Sequence, residues 1–420
     1  MVSDPSMRPA SAMPGPAPVE RFLESLSRDD RVTHVVDAPA RAATFAPLPE
    51  GLPAPLVAAL KSAGRDRLFT HQAEAIGHAL AGRHVVVATE TSSGKTLCFQ
   101  LPVLAATMAD PKARALLLFP TNPLANDQEK SLTDFIARLP ASVAPRGLVK
   151  LHGGLGDKKE QLARSDPQIV LTNPEMAHLY LLPQHARWAN FWAGLRYIVV
   201  DEVHLYRGAF GGHMAQLLRR IRRCAWRYGA SPVVVAASAT VGNPQELAQE
   251  LCGAPFELVD RTASARGPRR TLLWQPSQDK DDPDAGAYLD DAVELMRRGL
   301  AEKLQVILFA RSRQLVEALA TRLEERTGKT RVQLGVRAYR GGYTRDEREV
   351  IEQGLRSGAV RGVITTNALE VGIDIGSLDL CVIAGYPGSL MALRQQAGRV
   401  GRRDRPSAIV LVASENPLDH

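Results

Sequence analysis

The chain has 420 residues, 45% of them apolar, with 52 Lys and Arg against 45 Asp and Glu, a net charge of +7 and a pI near 9.3. Length and apolar content predict two to three packed domains and exclude a wholly disordered chain. No segment reads as a secretory signal or as the roughly 18 consecutive apolar residues of a membrane helix. Cys98, Cys224, Cys252 and Cys381 are scattered without a C-x-x-C pair. That spacing excludes a disulfide scaffold or zinc ribbon and predicts core thiols in a reducing cytoplasm. The positive balance suits a polyanionic partner.

In chain order, residues 1–18 are rich in Pro, Ala, Ser and Met and predict a disordered tail. Val19 to Asp66 predicts a helical and extended accessory segment packed on the first lobe. Arg67 to Asp260 alternates strand-like and helix-like runs, the pattern of an α/β lobe whose parallel sheet is covered by helices on both faces.

Within that lobe, His84 to Ala88 predicts a buried strand and Leu97 to Leu101 the start of a helix. The run Thr89-Glu90-Thr91-Ser92-Ser93-Gly94-Lys95-Thr96 therefore falls at a strand-to-helix turn, where backbone N–H groups and the helix dipole favour an anion. Thr91, Ser92, Ser93, Gly94, Lys95 and Thr96 are the candidate phosphate-binding set. Lys95 would reach the β- and γ-phosphates of ATP, and Thr96 would ligate Mg²⁺. The run departs from G-x-x-x-x-G-K-[ST] at Thr89, which stands where the first glycine belongs. A Gly-Lys-Thr tripeptide alone also serves as a surface turn; the flanking strand and helix favour the phosphate reading.

Arg196 to Val200 is a second apolar run, and it delivers Asp201 and Glu202 to a sheet's carboxyl edge, where open α/β folds bind ligands. Asp201 would hold Mg²⁺, and Glu202 would orient and deprotonate the attacking water. Two acids in that position also serve as helix caps. Met214 to Arg223 predicts an amphipathic helix with Leu217, Leu218 and Ile221 inward and solvated arginines outward, with a basic face toward DNA as the alternative reading. Pro232 to Ala237 predicts a further buried strand, followed by Ser238 and Thr240.

Residues 261–286 mix charges and prolines and predict an exposed linker. Residues 287–420 predict a second α/β lobe, with strands at Gln305–Phe309, Val332–Val336, Val363–Thr366, Leu380–Ala384 and Ala408–Val412. Near its end stands Gln395-x-x-Gly398-Arg399-x-Gly401-Arg402. Arg402 is the candidate arginine finger reaching across a cleft to the γ-phosphate, with Arg399 beside it. The glycines disfavour a plain solvated helix there.

The order of these segments resembles that of superfamily 2 helicases, nucleic-acid-dependent ATPases with two tandem RecA-like lobes. The resemblance implies further roles. Gln72, in Leu68-Phe69-Thr70-His71-Gln72, matches the adenine reader. Thr121 and Thr172 match strand-tracking positions, as do Arg311 and Thr366 in the second lobe; each is a short or forked donor suited to phosphate oxygens. Ser238, Thr240 and His204 match the elements that couple hydrolysis to strand binding. Asp374 matches a ribose contact, and Gln395 joins Arg399 and Arg402 in the catalytic set.

His204 ends the acidic box and Gln395 opens the last motif, which points away from RNA-type DEAD-box proteins. Val35 to Arg41, Tyr206 to His213, Tyr339 to Tyr343 and Ser414 to Asp419 are similar to stretches of MrfA/SftH-like bacterial DNA helicases, relatives of a fungal RecQ-like repair helicase. That likeness implies 3′ to 5′ movement on single-stranded or forked DNA in a bacterial cytoplasm, associated with the nucleoid. It also implies repair proteins as partners, no membrane, and a cysteine-rich metal-binding domain continuing beyond this helicase core. The short interval between Asp374 and Gln395 leaves little room for a long strand-separating hairpin, so translocation is the stronger expectation. An RNA-directed ATPase and a non-hydrolysing nucleic-acid scaffold are the alternatives.

Overall fold

The computed structural model describes residues 17–156, 158–276, 286–370, 376, 378–401, 405–416 and 419. Two seven-stranded sheets organise them. The first runs, edge to edge, Glu257–Val259, Val85–Ala88, Val233–Ser238, Leu195–Val200, Arg114–Leu118, Ile169–Thr172 and Leu148–Lys150, all parallel. The second runs Val32–Ala38, Arg269–Trp274, Ser407–Val412, Leu380–Ala384, Val306–Phe309, Gly362–Thr365 and Val336–Tyr339. It is parallel except for its first strand.

The continuous apolar runs follow from burial on both faces. Successive strand side chains point to opposite sides, so a sheet covered twice needs apolar residues at every position. Val85 and Val87 pack in one core of the first lobe and Val86 in the other. Val306 and Leu308, against Ile307 and Phe309, divide in the same way in the second lobe. The helix Gly208–Arg227 buries Met214, Leu217, Leu218 and Ile221 and leaves Arg219 and Arg223 exposed, as its amphipathic pattern predicts. Among the described residues no helix is long and apolar enough to cross a membrane.

Three expectations about local structure are corrected. The segment 19–66 is divided between the lobes. Its helix Pro18–Leu26 sinks Val19, Phe22 and Leu26 into the second lobe's core beside Leu272, Trp274 and Val412. Strand Val32–Ala38 pairs antiparallel with Arg269–Trp274 at that sheet's edge, with Asp37 receiving the Arg270 guanidinium at 2.6 Å. Only its later part, including the helix Ala54–Ser62, packs on the first lobe through Leu56, Ala59 and Leu60.

The expected linker 261–286 contains a sheet strand, because Arg269–Trp274 finds partners on both sides. The strand expected at Val332–Val336 begins only at Val336. Leu334 and Val336 donate back to Thr330 and Arg331 at 3.1 and 2.8 Å, closing a turn that leaves Val332 67% exposed.

Truncating Phe22 to Ala should therefore destabilise the second lobe, although this residue lies far upstream of it in sequence. The expected cost is about 3–5 kcal/mol for a fully buried aromatic ring, read as an earlier denaturant transition of Trp274 fluorescence. Movement of the first lobe's transition instead would disprove the assignment.

Candidate active site

The turn after strand Val85–Ala88 is shaped by its own side chains. Thr89 is fully buried and its hydroxyl lies 2.7 Å from that of Ser93. This bond closes the loop where the usual pattern has glycine. Ser92 takes φ +62° and Gly94 φ +85°, and the strain of a left-handed serine is held by this closure. The Lys95 ammonium folds back onto the carbonyls of Thr89 and Glu90 at 2.8 and 3.0 Å. Thr96 opens the helix Thr96–Ala109.

Gln72 spends its amide on this loop. Its oxygen accepts from the Phe69 N–H at 3.0 Å and its nitrogen donates to the Gly94 carbonyl at 2.9 Å. His71 accepts from the Ala263 N–H at Nδ1, 3.2 Å away, and donates from Nε2 to the Ser93 carbonyl at 3.1 Å. Burial lowers the His71 pKa to about 4, so the ring is neutral.

Strand Leu195–Val200 ends at Asp201 and Glu202, and Glu202 is held at φ +52°. Burial, then the neighbouring Glu202 charge, pushes the Asp201 carboxyl up to about 8. Burial raises Glu202 too, against the pull of Lys95 and Arg399, and lowers Lys95 against the attraction of Glu202 and Asp201.

His204 is fully buried and accepts from the Ala239 N–H at Nδ1, 3.0 Å away. Its Nε2 lies 2.6 Å from the side-chain amide of Gln395 in the other lobe. A neutral ring whose Nδ1 accepts carries its proton on Nε2, so the amide meets it with oxygen. Burial, aided by Lys95 and Arg207, lowers His204 to about 3 and keeps it neutral.

The second lobe closes the site. Arg399 is 4% exposed and donates to the Glu370 carbonyl at 2.7 Å. The Thr91 hydroxyl donates to the Gly398 carbonyl at 3.4 Å, and a Cβ on Gly398 would lie 2.0 Å from that hydroxyl. Glycine is thus what lets the lobes approach. The resulting cleft, about 880 Å³, is lined by Gln72, Lys95, Asp201 and Glu202 from one lobe and by Gln395 and Arg399 from the other. The candidate finger Arg402 and the candidate ribose contact Asp374 lie outside the described residues.

The expected nucleic-acid donors all follow or end strands, but they are not equally available. Thr121 is exposed before the helix Asn122–Ile136, with no side-chain capping bond. Thr172 is corrected: it is buried and donates to the Leu151 carbonyl at 3.0 Å. Thr366 is likewise mostly buried and receives the Ala368 N–H at 3.3 Å. Arg311 is paired with Asp419 at 2.9 Å. Of the coupling candidates, Ser238 is buried and donates to the Ala239 carbonyl at 2.8 Å, while Thr240 faces a second interlobe cavity. His204 meets this segment through the Ala239 backbone N–H, not through a hydroxyl.

Family comparison agrees with this geometry. A DEAD/DEAH box helicase model matches residues 69–247, and a helicase conserved C-terminal domain model matches residues 288–404. The chain belongs to the superfamily 2 helicases. It is 40% identical to the ATP-dependent helicase YprA of Bacillus subtilis over 95% of this chain and 53% of YprA. It is 38% identical to the ATP-dependent helicase hrq1 of Schizosaccharomyces pombe, over 91% of this chain and 37% of that protein. The structure of the helicase MrfA bound to DNA superposes with a TM-score of 0.90 at 39% identity, covering 95% of this chain and 56% of MrfA. The chain thus spans about half, or less, of these relatives' length.

In this helicase core, Thr96 and Asp201 are oxygen donors fitted to Mg²⁺, which needs few protein ligands. Burial and the Glu202 charge raise the Asp201 carboxyl, and a divalent cation beside it would favour its ionised form. His71 and the ion pair Arg41–Glu90, with Arg41 nitrogens 3.0 and 2.9 Å from the carboxylate, also touch the phosphate loop. Sequence reasoning gave them no role. His71 sits inside a family motif, but nothing local marks Arg41 as a neighbour of Glu90.

The raised Asp201 pKa makes ionisation costly in the fold. The penalty is absent below the ordinary 3.8, grows as pH rises and is complete above about 8. With a chelator present, Asp201→Asn should unfold later than wild type above pH 8, and the gap should close near pH 4. Equal gaps at both ends of the range would refute this, and thermal denaturation across pH is the measurement.

Proposed function

We propose that this core hydrolyses ATP to move along single-stranded DNA. The reading rests on one observation: Lys95, Asp201 and Glu202 share a cleft with Gln395 and Arg399 of the opposite lobe. The MrfA likeness supports the polymer. The match has a TM-score of 0.90 with DNA-bound MrfA and 0.72 with a further MrfA structure. Movement 3′ to 5′, a role in DNA repair with repair proteins as partners, and a cytoplasmic, nucleoid-associated setting rest on the same family likeness.

Lys95 leaves its two loop carbonyls for the β- and γ-phosphates, while the N–H groups entering the helix Thr96–Ala109 hold the same anion. Gln72 sits where the adenine end of the cleft meets the loop. Mg²⁺ held by Thr96 and Asp201 would supply charge neutralisation to the phosphates. Glu202 takes the proton of the attacking water; burial raises its pKa toward a proton-holding base, and Lys95 and Arg399 oppose part of that rise. Arg399 stabilises charge on the transferring phosphoryl group. Because Arg399 belongs to the second lobe, the complete site exists only when the lobes are closed. Thr121, with its exposed hydroxyl, is the first-lobe contact to the strand backbone.

Steady-state hydrolysis without nucleic acid, with single-stranded DNA and with single-stranded RNA tests the reading. Stimulation by DNA alone is expected, with Glu202→Gln lowering kcat by at least about 100-fold while nucleotide binding persists. Equal stimulation by RNA would move the assignment to an RNA-directed ATPase. Strand binding with no turnover would make the core a scaffold.

A further inference from the structure

Among the described residues the chain crosses between the lobes twice. The first crossing lies between strands Val32–Ala38 and Phe45–Ala46, the second between Glu257–Val259 and Arg269–Trp274. The crossings are bound to each other. Arg41 and Arg266 exchange backbone hydrogen bonds of 2.8 and 2.9 Å, and the Thr44 N–H donates to the Ala263 carbonyl at 3.0 Å. The Arg41 side chain adds a bond to the Ser264 carbonyl at 3.1 Å, and that of Arg266 one to the Pro39 carbonyl at 3.3 Å.

This paired hinge converges on one residue of the phosphate loop. The Glu90 carboxylate takes both terminal nitrogens of Arg41 at 3.0 and 2.9 Å and one of Arg266 at 3.4 Å. Its N–H donates to the Thr262 hydroxyl at 3.0 Å. Its carbonyl accepts from Lys95, the side chain that must turn away to meet a phosphate. The carboxylate and N–H of Glu90 are therefore committed to the hinge, while its carbonyl is shared between Lys95 and the Ser93 N–H of the loop, 3.3 Å away. A bidentate Arg–carboxylate pair is directional as well as strong, so displacement of this loop is transmitted to both crossings together.

We propose that Glu90 is a positioning residue that transmits the state of the nucleotide loop, through Arg41 and Arg266, to the hinge that sets the separation of the lobes. It touches no reacting atom. Its effect runs through where Arg399 stands relative to Lys95 and Glu202. The kinetic part of this inference rests on the hydrolytic reading above; the geometric part does not.

The test places a donor and an acceptor dye at Glu250→Cys and Glu325→Cys, exposed positions in the first and second lobes, in the full chain with Cys224 replaced by Ser. A non-hydrolysable ATP analogue with Mg²⁺ should change the interlobe distance in the otherwise unmodified protein. That response should be lost in Glu90→Gln and in Arg41→Gln, and the double variant should be no worse than either single one, as expected for residues acting as a unit. In the undyed protein kcat should fall about tenfold for loss of one charge-assisted pair, with KM for ATP little changed. Arg41→Lys, which keeps the charge but not the bidentate fork, should recover part of the movement and guards against a folding defect in the neutral variants. An unchanged distance response with a raised KM would mean that Glu90 only shapes the loop, and would overturn the inference. So would lobes that never respond to the analogue. Lobes that respond without turnover would sink the hydrolytic reading and leave the distance result to decide this one.

Discussion

Three charged side chains, Lys95, Asp201 and Glu202, line one cleft at the carboxyl edge of the first sheet, and the rest of the molecule serves that arrangement. Removing charges from water is costly unless they are paired and held. Burial pushes all three toward their neutral forms, and their mutual attraction and repulsion divide the shift unequally, leaving Asp201 raised to about 8. A group so placed gains from a cation, an anion or both. The proposed phosphate and its metal would supply that compensation.

Such a site needs a rigid edge and a movable lid. The edge comes from strands buried on both faces, whose ends vary little because every residue behind them is packed. The lid is the second lobe, and its approach is controlled by small and neutral features. Gly398 leaves room for Thr91, and the buried His204 meets Gln395 as a neutral hydrogen-bond pair. A charged imidazole there would face Glu202, whose carboxylate lies 3.5 Å from Nδ1, but burial holds the ring neutral. Keeping it neutral lets the seam open and close without an ionic penalty.

Much of this was legible from residue types. Apolar runs of four to six residues marked most strands, and the residues just after them were marked as ligands because open sheets bind there. The failures share a cause. Val32–Ala38 has the composition of a strand but no local sign that its partner begins at Arg269, and Val332 is apolar yet stands in a turn closed by Thr330 and Arg331. Thr172 and Thr366 have the right chemistry and the right place along the chain, yet their hydroxyls face inward to backbone groups.

The sequence by itself determined the α/β class, the two lobes, the phosphate loop and the acidic box, because these depend on periodicity and on residues adjacent in the chain. Only the tertiary structure decided that the N-terminal helix and strand complete the second lobe, that Gln395 is spent on His204, and that Glu90 joins Arg41 and Arg266 beneath the nucleotide site. The hydrogen bonds among them link residues separated by 49 to 281 positions. Local propensity carries no information at such range, since the free energy that selects each pairing comes from burial and charge matching that exist only once both lobes are folded.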